Sequence, residues 1–534
     1  MTKRTKHIPD SPAPAVPAPA NRLSLPIALV LVLVSVALLG LAIPPLRISW
    51  LAWFALVPAL LAMRHQGVKR GALLGFVMGM VYNALLLYWL ECFGGFAPWG
   101  AALIKSFYYV LMGMVLGVMR PRRSIYYVLT AACAWLGQEY LEASGSLGFT
   151  LGMLANTQAR HPLWLQINSL FGAWTLSLVL AVVNATLADI VWQRREAAGR
   201  PAEEKLAWFG FWRQGHPSFA PFVLSCVLIV ATFAFGSYRL SSFDVTGGKG
   251  VKVGLVQLSA NQSDKFDPDK APRFLDELFE LSRQTVEAGC SVVVWPETSV
   301  PYNNFVRNRR VMRTIRRQIR DIGAWFFLGT VARDNENNKR NRIYSFDPQG
   351  RLQEHYDKEH LVPFGEFLPL EKYWPDWRIL DQIMRFAAGK NGPCLRGDGV
   401  EFGTLICFES MTATMPRQRV RNGAEVLVIP TNDAWFGTSA ELPSHFDMAI
   451  MRAVETGRYT MQVGNTGISG YITPWGEVLQ ESKPETKIAL SETVYPLTEL
   501  TLYVRLGDVL PCLALLWVVI FLFDRVREPR HFWE

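Results

Sequence analysis

The chain has 534 residues, of which 50% are hydrophobic, and its formal net charge is +9. This is too long for one ordinary domain and too apolar for an ordinary soluble protein. The Lys and Arg residues are scattered among apolar blocks without a nucleic-acid-binding signature, so we expect no nucleic-acid partner. The seven cysteines and eight histidines form no CxxC or HExxH spacing, so neither a disulfide framework nor a metal site is indicated.

The first part of the chain predicts a membrane domain. Residues 1–24 are basic and then rich in Pro and Ala, which predicts a disordered cytoplasmic tail. Seven apolar runs within residues 25–243 and an eighth near the C-terminus each predict a transmembrane helix, because so many in succession are untypical of a soluble helical protein. The runs lie at 25–43, 48–63, 71–90, 98–119, 124–141, 163–192, 219–240 and 506–523.

The connecting loops predict how the chain is oriented in the membrane. Basic residues cluster in the N-terminal tail and in the loops that begin at Arg64, Arg120 and Arg194, whereas the loops between these hold few positive charges. This alternation places the N-terminus in the cytoplasm. Residues 244–500 are then expected to form a domain on the non-cytoplasmic side of the membrane, and residues 501–534 to supply the eighth helix and a cytoplasmic tail.

Residues 244–500 alternate short β-rich runs with amphipathic helices, which predicts an α/β domain with a sheet layered by helices. The predicted strands are 251–259, 291–298, 324–333, 403–408 and 424–433, the helices are 271–288, 307–322 and 443–456, and two hairpins lie near 342–358 and 468–479.

Three side chains at the ends of predicted strands suit thiol catalysis, which needs a nucleophile, a base and a group that stabilises an oxyanion. Cys407 is the candidate nucleophile, although a free cysteine more often packs as a small hydrophobe. Glu297 follows Trp295 and Pro296, and a partly desolvated carboxylate there suits a general base; a solvated loop acid is the alternative. Lys358 suits the oxyanion, although judged alone it is one charge in a mixed run. Their joint occurrence favours catalysis.

The motifs VVVWPETSVP, DKEHLVPFGEFLP, GTLICFES and PTNDAWFG resemble those of the nitrilase superfamily of carbon–nitrogen hydrolases. Joined to the apolar runs, the chain from about residue 25 resembles the apolipoprotein N-acyltransferase family. The resemblance implies an αββα sandwich, catalytic roles for Glu297, Lys358 and Cys407, supporting roles for Glu366, Phe408 and Glu409, and substrate binding by Phe266, Trp435 and Phe436. The chain departs from the family pattern with Phe266 for Trp, Phe408 for Tyr and Gln462 for Arg.

The resemblance also implies a reaction without a cofactor. An acyl chain passes from a membrane phospholipid, with phosphatidylethanolamine the expected donor, through a Cys407 thioester to the N-terminal amine of diacylglyceryl-cysteine in apolipoproteins. A membrane-tethered amide hydrolase is the alternative, because the same triad serves both reactions. A transporter or scaffold with an inactive domain is less favoured, because the triad is intact. The apolar stretch 361–386 is expected to lie at the membrane interface and to gate lipid entry.

Overall fold

The computed structural model describes residues 22–120, 123–198, 216–242, 244–246, 248–265, 267–373 and 383–526. Its first part is a helical bundle. The helices are α1 (Leu25–Ala42), α2 (Val57–Met63), α3 (Gly67–Leu86), α4 (Ala97–Val118), α5 (Ser124–Glu142), α6 (Pro162–Leu165), α7 (Asn168–Phe171), α8 (Ala173–Ala198) and α9 (Phe219–Ser242). Of the helices in the described ranges, α1, α4, α8 and α9 are long and apolar enough to cross a membrane. The number of seven spans before the domain stays a prediction.

Two of the predicted runs are not single helices. Run 48–63 divides into a short 3-10 turn, Ser49–Trp53, and α2, which starts beside Pro58. Proline lacks an N–H and fits only the first turn of a helix, so the chain starts a new helix there. Run 163–192 divides into α6, α7 and α8. Gly172, whose φ is +74°, ends α7 before α8 begins.

Helices α3 and α4 pack with their backbones in direct contact. A Cβ atom added at Gly75 would lie 2.1 Å from the carbonyl oxygen of Tyr109, and one added at Gly71 would lie 2.2 Å from the carbonyl oxygen of Gly113. Small residues allow such close helix packing in membranes. This contact fixes the position of α4, which forms one wall of the candidate site.

The second part of the chain contains two six-stranded sheets, in the orders β12-β1-β2-β3-β4-β5 and β11-β10-β9-β8-β7-β6. The strands are β1 (Val251–Gln257), β2 (Val292–Val294), β3 (Trp325–Arg333), β4 (Lys339–Phe346), β5 (Leu352–Asp357), β6 (Leu395–Gly397), β7 (Val400–Thr404), β8 (Val426–Thr431), β9 (Thr460–Gly464), β10 (Gly470–Ile472), β11 (Val478–Glu481) and β12 (Ile488–Val494). The helices are α10 (Gln262–Lys265), α11 (Ala271–Glu287), α12 (Arg309–Ile322), α13 (Thr414–Arg421), α14 (Glu441–Thr456), α15 (Leu502–Leu506) and α16 (Val509–Val526).

The sheets pack face to face and carry helices on both outer faces. Apolar residues such as Val294 and Val428 fill the space between the sheets. Helices α11 and α12 cover the first sheet, whereas α13 and α14 cover the second sheet and also join the core of the helical bundle. The predicted αββα sandwich beside a helical membrane domain is therefore confirmed.

Helix α14 explains how the two parts of the chain are joined. All of its residues except Pro443 are buried. Its Asp447 accepts hydrogen bonds from Arg160 Nε at 2.7 Å and from Arg47 Nη2 at 2.9 Å, and both arginines belong to the helical bundle. The sandwich is thus fixed to the bundle through its second helical layer.

The predicted strand 403–408 is wrong in its second half. Strand β7 ends at Thr404, and a 3-10 turn begins at Cys407. Cys407 has a φ of +52°, a left-handed conformation that a strand does not contain. The candidate nucleophile therefore lies on a tight turn after the strand.

Candidate active site

The sandwich brings the predicted catalytic side chains together at the ends of strands from both sheets. Glu297 lies three residues after β2, and Lys358 follows β5 directly, both in the first sheet. Cys407 lies three residues after β7 in the second sheet. Ends of strands hold side chains rigidly while leaving them accessible from a cleft, so this edge of the sandwich suits catalysis.

Lys358 and its acidic partners form a buried network. The Lys358 ammonium lies 3.0 Å from Glu366 Oε1 and 3.3 Å from Glu297 Oε1, and its side chain is 1% exposed. Asn341 Nδ2 donates to both carboxylates, and the Asn341 carbonyl accepts from the Lys358 amide. Burial opposes the lysine's charge, but Glu297 and Glu366 outweigh it, so the pKa of Lys358 lies above its ordinary value. A permanently charged ammonium can stabilise an oxyanion.

Cys407 shares this environment. Burial raises the pKa of its thiol well above the ordinary value, Glu297 and Asp433 raise it further, and Lys358 and a Thr431 hydrogen bond lower it. The resting side chain is thus a thiol rather than a thiolate. A base must remove its proton during attack, and Glu297 is the carboxylate with the largest influence on it.

Glu409 ties the two strand-end loops together. Its Oε1 accepts from the Tyr356 hydroxyl at 2.8 Å and from the amides of Glu359 and His360, while its Oε2 accepts from the Ile406 amide at 2.6 Å. Burial raises the pKa of Glu409 to about 7, although the backbone donors act in the opposite direction. The carboxyl group connects the loop of Lys358 with the turn of Cys407, which fixes the distance between ammonium and thiol.

Two cavities meet at Cys407. The polar cavity, about 410 Å³, contains Glu297, Lys358 and Glu366 and is flanked by Trp435 and Phe436. Trp435 is 42% exposed. The other described residues that line the polar cavity are Cys92, Phe93, Thr298, Val331, Asn341, Val362, Phe364, Gly365, Ile383, Met384, Phe386 and Asn432.

The apolar cavity, about 140 Å³, lies on the other side of Cys407 and reaches into the helical bundle. Its walls come from α4, from the turn after α3, from the segment after α5 and from the Cys407 turn. The described lining residues are Trp89, Leu90, Phe93, Ala101, Ile104, Lys105, Leu147, Phe149, Val362, Pro363, Phe364, Phe408, Met411, Phe436 and Glu441.

The predicted aromatic residues lie where the two cavities join. Phe436 borders both cavities and makes an edge contact with Trp89 at 4.8 Å between ring centroids. Phe408 stacks on His360 at 5.5 Å and meets Phe149 at 5.7 Å. The ring that replaces the family's tyrosine is therefore packed between a loop of the sandwich and the helical bundle.

The remaining predicted positions lie in different places. Phe266 and residues 374–382 of the proposed gate lie outside the described residues. Within the described part of that gate, Val362, Phe364 and Met384 line the polar cavity, whereas Leu370 and Tyr373 are each 71% exposed. Gln462 is buried on β9, where its Nε2 donates to the Ile468 carbonyl at 3.1 Å. The departure at Gln462 therefore lies within β9, away from the residues that line the two cavities.

Sequence reasoning missed several residues of the site. Lys265 is buried and donates to the Glu297 carbonyl at 3.2 Å and to Thr298 Oγ1 at 3.0 Å. Burial lowers the pKa of Lys265 to about 7 against the opposing effect of Glu297. Nothing in the sequence near Lys265 distinguishes it from other lysines. Asn341, inside a β-hairpin strand, gave no signal either.

Asp433 and His445 were also missed, although Asp433 lies within the motif PTNDAWFG. Cys407, Asp433 and His445 each place one ligand atom within 4.8 Å of the others, a spacing that could hold a metal ion. His445 Nδ1 lies 3.2 Å from Asp433 Oδ1, and its Nε2 lies 2.8 Å from Ser410 Oγ. Both ring nitrogens thus already face protein partners.

Comparisons with known proteins agree with this architecture. Residues 252–496 match the carbon–nitrogen hydrolase family model, and residues 35–186 match the model of the apolipoprotein N-acyltransferase N-terminal domain. The apolipoprotein N-acyltransferase of Geobacter metallireducens is 32% identical over 92% of this chain and 95% of its own length. That of Gloeobacter violaceus is 30% identical over 88% of each chain.

Among solved structures, an amidase from Nesterenkonia sp. is 19% identical and covers 48% of this chain and 95% of its own, with a TM-score of 0.35.

Fold and site together define a membrane-bound enzyme of the carbon–nitrogen hydrolase superfamily. Within that class, the chain belongs to the apolipoprotein N-acyltransferase family, because the similarity to the Geobacter relative extends over nearly all of both chains. It is an acyltransferase of lipoprotein maturation.

Proposed function

We propose that the chain transfers an acyl chain from a membrane phospholipid to the N-terminal amine of a diacylglyceryl-cysteine in an apolipoprotein. The observation that carries this proposal is that Cys407 borders two cavities of opposite character. One is apolar and reaches the helical bundle, as an acyl chain requires. The other holds the charged groups that move protons and stabilise an oxyanion.

In the first half-reaction, Glu297 takes the proton of the Cys407 thiol, and the sulfur attacks the ester carbonyl of the donor. The oxyanion forms beside the Lys358 ammonium. The intermediate then collapses as the glycerol oxygen leaves with the proton held by Glu297. A lysophospholipid departs, and the acyl chain remains on Cys407 as a thioester.

In the second half-reaction, the acceptor's α-amine attacks the thioester carbonyl and gives a proton to Glu297. The sulfur leaves, and Glu297 returns the proton to it, so an amide is formed and the resting enzyme is restored. Glu366 and Asn341 hold Lys358 and Glu297 in place, and Glu409 holds the loops that carry Lys358 and Cys407. Trp435 and Phe436 flank the entrance for donor and acceptor.

We also propose the catalytic and binding roles given above to the site residues, with phosphatidylethanolamine as the donor. The proposed domain boundaries are 1–24, 25–243, 244–500 and 501–534. The proposed location is the inner membrane with the catalytic domain in the periplasm, which the alternation of basic loops supports. A cysteine placed at Asn337, in the β3–β4 loop, tests the orientation. We expect it to react with a membrane-impermeant maleimide in cells with a permeabilised outer membrane, and protection from that reagent would contradict the proposed side.

The central experiment is intact-protein mass spectrometry after incubation with phosphatidylethanolamine vesicles. We expect a hydroxylamine-labile acyl adduct on Cys407, release of lysophospholipid, and loss of the adduct when a diacylated lipopeptide is added. Cys407→Ser should form no such thioester, whereas Cys226→Ser, at an exposed position on α9, should behave like the wild type.

The same experiment distinguishes the proposed acyltransferase from an amide hydrolase. If no adduct forms with several phospholipids while small amides release ammonia, the chain is a membrane-tethered amidase and the proposal fails. If the adduct forms but is lost to water as free fatty acid at the same rate with and without lipopeptide, the acceptor is wrong.

A further inference from the structure

Cys407 has a backbone conformation that needs support. Its φ of +52° is unfavourable for a residue with a side chain. The amide before it, on Ile406, donates to Glu409 Oε2 at 2.6 Å. The carbonyl of Cys407 accepts from Ser410 Oγ at 2.8 Å and lies 3.2 Å from His445 Nε2. The turn is therefore fixed from both sides, and His445 is one of the groups that fix it.

His445 is fully buried on α14, the helix that lies between the second sheet and the helical bundle. Its Nε2 faces Ser410 Oγ and the Cys407 carbonyl, and its Nδ1 faces Asp433 Oδ1. A buried imidazole with partners at both nitrogens cannot rotate without losing hydrogen bonds. Its ring thus defines a fixed distance between the end of β8 and the Cys407 turn.

The contacts continue from His445 to the end of β8. Asp433 Oδ1 lies 3.2 Å from His445 Nδ1 and also accepts from the Thr431 hydroxyl at 2.5 Å. A ring nitrogen of His445 and a carboxylate oxygen of Asp433 both lie within 4.8 Å of the Cys407 sulfur. His445 therefore contacts the backbone of Cys407 and, together with Asp433, borders its side chain.

We propose that His445 is a positioning residue that holds the Cys407 turn, and through it the sulfur, in the orientation for attack. The proposal rests on the proposed role of Cys407 as nucleophile. His445 acts on the Cys407 sulfur through its contacts with the Cys407 carbonyl, Ser410 and Asp433. Its loss should therefore slow formation of the acyl-enzyme and leave donor binding nearly unchanged.

The test compares His445→Leu, His445→Gln and the control Ser444→Ala. Gln places an amide nitrogen near the position of Nε2 and can donate to Ser410 and the Cys407 carbonyl, whereas Leu fills the space without a donor. Ser444 is the neighbouring buried residue, and its hydroxyl bonds only to the Ala440 carbonyl among the contacts described. Single-turnover acylation by phosphatidylethanolamine vesicles, the donor KM, and alkylation of Cys407 by iodoacetamide are measured for each.

We expect His445→Leu to slow acylation about 10- to 100-fold, because small misplacements of a reacting atom cost about that much. Donor KM should stay within about threefold of the wild-type value, since the cavity walls are unchanged. His445→Gln should recover most of the rate, and Ser444→Ala should match the wild type. Alkylation of Cys407 needs no lipid. A changed alkylation rate in His445→Leu therefore shows a misplaced sulfur, even if phosphatidylethanolamine proves not to be the donor.

Three results would overturn the proposal. The first is wild-type acylation by His445→Leu. The second is a rate loss that follows loss of thermal stability and is not restored by Gln, which would give His445 a structural role only. The third is a loss of wild-type activity on treatment with a chelator, together with the same loss in His445→Leu. That result would indicate that His445 binds a metal ion. If the Leu variant does not fold, Ser410→Ala decides, because it removes the hydroxyl that joins His445 Nε2 to the Cys407 carbonyl. A wild-type acylation rate in Ser410→Ala would then overturn the proposal.

Discussion

The two cavities that meet at Cys407 differ in what builds them. The polar cavity is formed mainly by loops at strand ends of the sandwich, and its charged groups are fixed by hydrogen bonds from both sheets. The apolar cavity takes much of its wall from the helical bundle, through Ala101, Ile104 and Phe149. In the proposed mechanism, the sandwich therefore supplies the charged groups that act on Cys407, and the helical bundle supplies the apolar surface that binds the acyl chain.

This difference separates rate from affinity. Changes in the polar cavity act on charges that develop during attack, so they should lower kcat. Changes in the apolar cavity act on contacts that donor and transition state share, so they should raise KM. Variants on the two sides of Cys407 can therefore be distinguished by kinetics alone.

The largest effect is expected from Lys358→Met, which keeps the length of the side chain and removes the ammonium 3.0 Å from Glu366 and 3.3 Å from Glu297. Loss of an oxyanion-stabilising group costs about 10²- to 10³-fold in rate. We expect single-turnover acylation to fall by that factor while vesicle-bound donor still saturates the enzyme at the wild-type concentration.

Lys487→Met is the matched control, because Lys487 pairs with Glu277 at the exposed surface. Such pairs contribute little, so acylation should stay at the wild-type rate. A donor KM that rises in Lys358→Met while kcat is kept would show that the ammonium binds the donor rather than the transition state.

A smaller effect is expected on the apolar side. Phe149 packs against Phe408 at 5.7 Å and lies under the Lys105 ammonium at 3.7 Å. Phe149→Ala removes apolar surface from the cavity wall, so we expect donor KM to rise about tenfold, corresponding to about 1.4 kcal/mol, with kcat within about threefold.

Phe107→Ala serves as its control, because Phe107 is 61% exposed on α4 and is not among the described residues that line the cavity. It should leave both constants unchanged when assayed with the same vesicles. Equal effects of the two substitutions would mean that the helical bundle responds to any loss of bulk, and the separation of affinity from rate would fail.

The sequence predicted the polar side better than the apolar side. Glu297, Lys358 and Cys407 stand in motifs at strand ends, and the alternation of strands and helices fixes that edge of the sandwich. Phe408, Trp435 and Phe436 could be predicted as neighbours of the site from their motifs as well. The apolar wall could not, because hydropathy identifies a membrane helix but does not tell which of its faces contacts a distant domain.

The groups that hold the catalytic residues were missed for a related reason. Asn341 and Lys265 have ordinary surroundings in the sequence, and only the pairing of β4 with β5 and the position of α10 bring them to Glu297 and Lys358. The Cys407 turn was predicted as strand because its residues are apolar. Apolar residues favour a strand, but the chain forms a tight turn at Cys407 instead, and the sulfur projects from that turn.

The smallest effect concerns the charge of the thiol itself. Burial, Glu297 and Asp433 raise the pKa of Cys407, and Lys358 lowers it, so the thiolate fraction increases as pH rises towards that pKa. Glu297→Gln should move the pH profile of iodoacetamide alkylation to lower pH, and alkylation at pH 8 should be about tenfold faster if the thiol pKa falls by about 1. Lys358→Met should move the same profile to higher pH. Acyl transfer should fall in both variants, because one lacks the base and the other lacks the oxyanion's partner. Profiles that move in the same direction, or not at all, would mean that neither charge acts on the sulfur and that the polar cavity does not control the nucleophile.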